Sequence, residues 1–154
     1  MKVRPLKIWI DADACPREVK EVIYKASERT RTLVCLVANS FMKTPKSKLI
    51  SFVQVDKGDD VADFYIVEHV SCEDIVITAD VPLAALVVEK NAIALNPRGE
   101  VYTEENVREK LSIRDFMQDL RDGGVQTGGP PPFGIKDKEQ FANSFNSLLT
   151  SKSR

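Results

Sequence analysis

Apolar positions along this chain follow two alternating patterns. Mostly apolar runs at residues 7–10, 33–38, 51–55, 75–78 and 92–95 are each bounded by Asp, Asn, Gly or Pro, and predict five buried strands. Between them the apolar spacing changes to a helical period. Pro16 suits a first helical turn, and Val19, Val22, Ile23 and Ala26 line one face of a helix that fades near Arg29. Gly58-Asp59-Asp60 starts a second helix carrying Val61, Phe64, Tyr65 and residues 67–70. Residues 81–90 form a third, with Leu83, Leu86 and Val87 at core spacing. Strands alternating with helices imply an α/β fold: a central, mostly parallel sheet of about five strands with helices on both faces. Residues 103–112 and 113–122 read as two further helices and 138–149 as a last amphipathic one, with a frayed tail at 150–154.

A chain of 154 residues suits one domain, and no internal repeat divides it. Residues 1–122 form the expected α/β domain. Residues 123–154, a loop rich in Gly and Pro followed by the last helix, are expected to pack on that same domain. With 22 Lys+Arg against 23 Asp+Glu the net charge is -1, which excludes a chain that is basic throughout and confines any nucleic-acid contact to a local patch. No run approaches the roughly 18 apolar residues of a membrane span, and Asp11 cuts the first apolar run short of a signal-peptide core. Cys15, Cys35 and Cys72 show no CxxC or Cys/His spacing and read as reduced thiols. A cytoplasmic protein is the expectation; nothing in the sequence sets its oligomeric state. His69, the only histidine, leaves Ser/His/Asp chemistry little room.

Ligands of open parallel sheets bind beyond the carboxyl ends of the strands. Asp11 and Asp13 follow the first strand and Asp80 follows the fourth, while Asp59, Asp60 and Asp63 open the helix after the third. The topology thus sends up to six carboxylates from three segments to one rim. Two carboxylates 6 Å apart repel by about 3 kcal/mol at an effective dielectric near 20, so such a cluster holds protons or binds a cation. All-oxygen ligands suit Mg²⁺ or Mn²⁺. Taken singly, the aspartates also have structural readings: Asp59 and Asp60 as helix caps, Asp11 and Asp13 as an Asx-turn and a cap for the helix at Pro16. Lys43, Lys46 and Lys48 after the second strand and Arg98 after the fifth are candidate phosphate contacts, with Asn39 and Ser40 beside them; Arg114 and Arg121 lie farther along.

Five stretches in this order, Asp11-Ala-Asp13-Ala-Cys15-Pro16, Gly58-Asp-Asp60-Val-Ala-Asp63, Ile77-Thr-Ala-Asp80-Val-Pro-Leu-Ala, Asn96-Pro-Arg98-Gly99 and Thr127-Gly-Gly-Pro130, resemble the YaiI/YqxD family of bacterial proteins. The resemblance covers nearly the whole chain. It implies a PIN-like domain, a group of metal-dependent ribonucleases on a parallel α/β sheet, with Asp11, Asp60, Asp63 and Asp80 as metal-site carboxylates and Asp13 as an additional one. Val81 and Pro82 stand where many such nucleases carry a second acidic residue. The resulting expectation is Mg²⁺- or Mn²⁺-dependent hydrolysis of phosphodiesters, with single-stranded RNA as the substrate. A second reading resembles the haloacid dehalogenase phosphatases, with Asp11 as nucleophile, Asp13 as acid/base, Ser40 holding phosphate and Lys57 preceding an Asp-Asp pair. A third is a non-catalytic PIN-like module binding RNA or protein, with residues 128–133 as a docking strap. Cys15 has a helix start behind it but aspartates beside it, and reads as a small packing residue rather than a nucleophile.

Overall fold

The computed structural model describes residues 5–129 and 131–152. Within these, six strands form one sheet: β1 (Lys7–Asp11), β2 (Leu33–Ala38), β3 (Ile50–Gln54), β4 (Ile75–Ile77), β5 (Ile93–Leu95) and β6 (Val101–Tyr102). Five α-helices flank it: α1 (Arg17–Thr30), α2 (Val61–His69), α3 (Val81–Glu89), α4 (Glu104–Asp122) and α5 (Ile135–Lys152). The strand order is β3-β2-β1-β4-β5-β6, parallel except for the β5–β6 pair. From β1 the chain moves outward through α1 to β2 and β3, then returns through α2 to pair β4 against the other side of β1. The split between β1 and β4 is a topological switch point, the place where open α/β sheets open a crevice at their carboxyl edge.

Strand alternation gives each face its own core. Ile8, Ile10, Val34, Leu36, Ile75 and Ile77 face α1 and α5, meeting Val19, Ile23, Phe141, Phe145 and Leu149. Trp9, Cys35, Val37, Val76 and Ala94 face the other way, against Ile66 of α2, Leu83, Ala84 and Val87 of α3, and Val107 of α4.

Several boundaries differ from the sequence expectation for physical reasons. The segments expected as two helices at 103–112 and 113–122 are the single helix α4, since no Gly or Pro stands between Thr103 and Gly123 to break it. Strand β6, two residues long and antiparallel, is too short to leave a periodic signature. Helix α2 begins at Val61 because Asp60 takes a left-handed backbone, φ 67°, which Asp tolerates better than most residues. Helix α5 runs three residues earlier than expected and absorbs the supposed frayed residues through Lys152; residues 153 and 154, like Pro130, lie outside the described residues. Gly99, at φ 94°, brings the turn after β5 against α5 so closely that a Cβ would stand 2.6 Å from the Gln140 backbone. Ser144 Oγ donates to the Gly99 carbonyl there.

Candidate functional site

A pocket of about 510 Å³ opens at the carboxyl edge of β1, β2 and β4, and Asp11, Asp13, Asp59, Asp60, Asp63 and Asp80 all line it. The strand order explains the meeting. In the β1–β4 register Ile10 stands opposite Ile77, so Asp11 lies beside Thr78, the residue just past β4. The buried Thr78 hydroxyl donates to Asp11 Oδ2 at 2.8 Å and accepts from the Asp80 backbone N–H at 2.9 Å, so one side chain sets the positions of two aspartates.

The structural readings of the aspartates separate cleanly. Asp80 does cap α3, its Oδ1 accepting from Leu83 N at 2.9 Å. Asp60 stands at the cap position of α2 with no side-chain cap bond. Asp13 caps no helix either: its Oδ2 accepts from Asn39 N at 2.9 Å and ties the turn after β1 to the end of β2. Asp74 lies outside the pocket and is purely structural, buried and accepting from Trp9 Nε1 and from the backbone N–H groups of Lys7 and Ser71.

The electrostatics are those of crowded acids. Burial, then Asp80, Asp11 and Asp60, push the Asp63 carboxyl up to about 7. Burial raises Asp11 too, the Thr78 hydrogen bond opposes this, and Asp80 and Asp13 reinforce it. Among the described residues, no three acidic, His or Cys side chains are already gathered into a coordination shell. Asp11, Asp13 and Asp80 each turn one oxygen to a protein donor. The donor set is nonetheless all carboxylate oxygen, which suits a hard cation such as Mg²⁺ or Mn²⁺ and not a softer metal.

The expected cations are distributed differently. Among the described basic residues, Arg114 alone lines the acidic pocket, reaching it from α4; Asn39 lines it too. Lys43 and Lys46 are exposed on the β2–β3 loop and, like Ser40, lie outside the pocket lining. Arg98 turns the other way: Nη1 donates to Asp137 Oδ2 at 2.9 Å, Nη2 donates to the Pro131 carbonyl, and the guanidinium carbon lies 5.7 Å from the Phe133 ring centroid. Its side chain fastens residues 131–137 to the body of the protein. The sequence gives Thr78 no role of its own and sets Arg114 farther along than Arg98, whereas Thr78 holds Asp11 and Arg114 lines the pocket. A Thr two residues before Asp80 was visible as a signal, but the approach of α4 to the rim is tertiary and leaves no trace in spacing. Cys15 is buried, and burial pushes its thiol up to about 12, which removes it as a nucleophile. His69 stacks on Tyr65, ring centroids 4.0 Å apart, at the end of α2.

Comparison with known proteins places these residues in a family. The family model described as "Uncharacterized BCR, YaiI/YqxD family" matches residues 9–151. A UPF0178 protein of Hydrogenovibrio crunogenus is 54% identical over 149 residues, covering 97% of this chain and 99% of the relative. One from Shewanella sp. strain MR-7 is 55% identical over 148 residues, covering 96% and 97%. One from Geobacter metallireducens is 54% identical over 145 residues, covering 94% of each. No solved structure matches the chain.

Proposed function

The chain belongs to the YaiI/YqxD family, and we propose that it hydrolyses phosphodiester bonds of single-stranded RNA with Mg²⁺ or Mn²⁺ at its acidic pocket. The observation that carries this reading is the convergence of six aspartates from three separate segments at the switch point of the sheet. Caps and turns account for Asp80 and for one oxygen of Asp13; they give no reason for Asp59, Asp60 and Asp63 to share a pocket with Asp11. Asp11, Asp60, Asp63 and Asp80 would hold the cation. Bound there, it supplies an activated water and neutralises the charge that builds on the phosphoryl oxygens.

The protein's own groups do the rest. Thr78 fixes Asp11 toward the pocket. Asp13, anchored through one oxygen by Asn39 N, keeps the other to orient the attacking water. Asp63 holds a proton near neutrality and gives it up when a cation arrives. Arg114 contacts a substrate phosphate from the open side. The phosphatase reading needs Ser40 against the phosphate, and Ser40 does not line this pocket.

The test supplies purified protein with labelled single-stranded RNA and Mn²⁺, beside Asp11→Asn, with a small phosphomonoester in parallel. RNA cleavage that is absent from Asp11→Asn is the expected result. Intact RNA across varied sequences, or turnover of the monoester alone, overturns the reading.

A further inference from the structure

Beside the acidic pocket lies a second one of about 520 Å³, and Arg114 lines both. That volume falls in the range, roughly 300–1,000 Å³, of sites that enclose small ligands. The chemistry changes sharply between the two. Pro97, Tyr102, Ile113 and Phe133 wall the second pocket, and no Asp or Glu is among its described lining residues. The pockets are joined through the backbone at two places. Asp13 faces the acidic pocket while Ala14 lines both, and Asp80 lines the acidic pocket while the preceding Ala79 lines the apolar one.

We infer that the apolar pocket seats the base of an unpaired nucleotide whose phosphate lies between Arg114 and the aspartates. A base offers a flat apolar face, and aromatic and aliphatic walls are what single-stranded nucleic acid stacks on. Arg98 held over the Phe133 ring adds a cationic edge to one wall. Arg98 and Lys110 are already paired with Asp137 and Glu100. Among the described residues Arg114 pairs only with the adjacent Asp115, exposed and at 3.5 Å, so of these three cations it is the one open to a phosphate. A base inside a duplex has both faces covered and cannot enter, so the pocket selects single strands. The placement of the phosphate rests on the phosphodiesterase reading; the base pocket itself does not.

Binding measured by calorimetry without divalent metal separates the two claims. The probes are a single-stranded RNA tetranucleotide, an abasic ribose-phosphate tetramer and an RNA duplex. The tetranucleotide should bind about tenfold tighter than the abasic chain, the order given by one base–aromatic contact, and the duplex should bind no better than the abasic chain. Phe133→Ala and Ile113→Ala should each remove that margin while leaving abasic binding unchanged. Ile113 is 52% exposed on α4, so its replacement leaves the fold intact. Equal affinity for the RNA and abasic chains, including no binding of either, overturns the pocket, as do variants that weaken both alike. RNA cleavage with no base-dependent binding sinks the pocket alone; base-dependent binding with no cleavage in Mn²⁺ sinks the hydrolase reading alone.

Discussion

Asp63 sits where burial and three neighbouring carboxylates all act in one direction, so the folded protein keeps a proton there that an unfolded aspartate releases near pH 4. The folded value is the raised one. The native state therefore binds more protons than the unfolded state between about pH 4 and about 7, and stability falls as pH rises through that window. Melting temperature in metal-free buffer should drop from pH 5 to pH 8, and Asp63→Asn should flatten most of the slope, with Asp11 supplying the remainder. At Asp80 the two obvious substitutions should part company. Asn still accepts from Leu83 N, so Asp80→Asn keeps the cap and relieves repulsion, whereas Asp80→Ala loses the cap and about 1 kcal/mol in urea denaturation. Only the charge change should abolish a Mn²⁺-dependent rise in melting temperature without loss of the metal-free stability. The aspartates were legible in the sequence because each follows a strand or opens a helix. Thr78 stands in view two residues before Asp80, but its hydrogen bond to Asp11 depends on which strand lies next to β1.

At the scale of elements, α4 shows how a helix can be seen and yet misdivided. Its start is well determined: Thr103 Oγ1 accepts from Asn106 N, and Asn106 Oδ1 accepts from Thr103 N, a reciprocal cap. Thr103→Ala should cost about 1 kcal/mol by chemical denaturation. In the middle of α4 the apolar residues Ile113, Phe116 and Met117 are part-exposed and join neither core, so apolar spacing gives no continuous stripe along the helix. Helix α2 was placed by its apolar run, but its first residue depends on the left-handed Asp60, a backbone choice that composition does not announce. Strands β1 to β5 were legible because each is a short apolar run closed by a turn residue; β6 pairs through two residues alone.

For the molecule as a whole, alternation of strand and helix was enough to specify layers but not the order of strands, and the order is what makes a site. Had β4 paired elsewhere, Asp80 would stand far from Asp11. The last helix completes one of the two cores: Phe141 and Phe145 stack at 5.4 Å between ring centroids and are fully buried under the same sheet face as Ile8 and Ile10. Phe141→Ala should destabilise the protein by about 3–5 kcal/mol in urea denaturation, a large share of the 5–15 kcal/mol typical of such proteins. Arg98→Ala, which frees residues 131–137 from the body, should cost far less.

The burial of Phe141, Phe145 and Leu149 against β1 bears on how the protein is made. Translation delivers β1 first and α5 more than a hundred residues later, at about 5–20 residues per second. For those seconds Ile8, Ile10, Ile75 and Ile77 have only α1 to cover them, and the nascent chain carries an uncovered apolar sheet face while still on the ribosome. The sheet face under α5 is thus the last part of the fold to close as the chain is made.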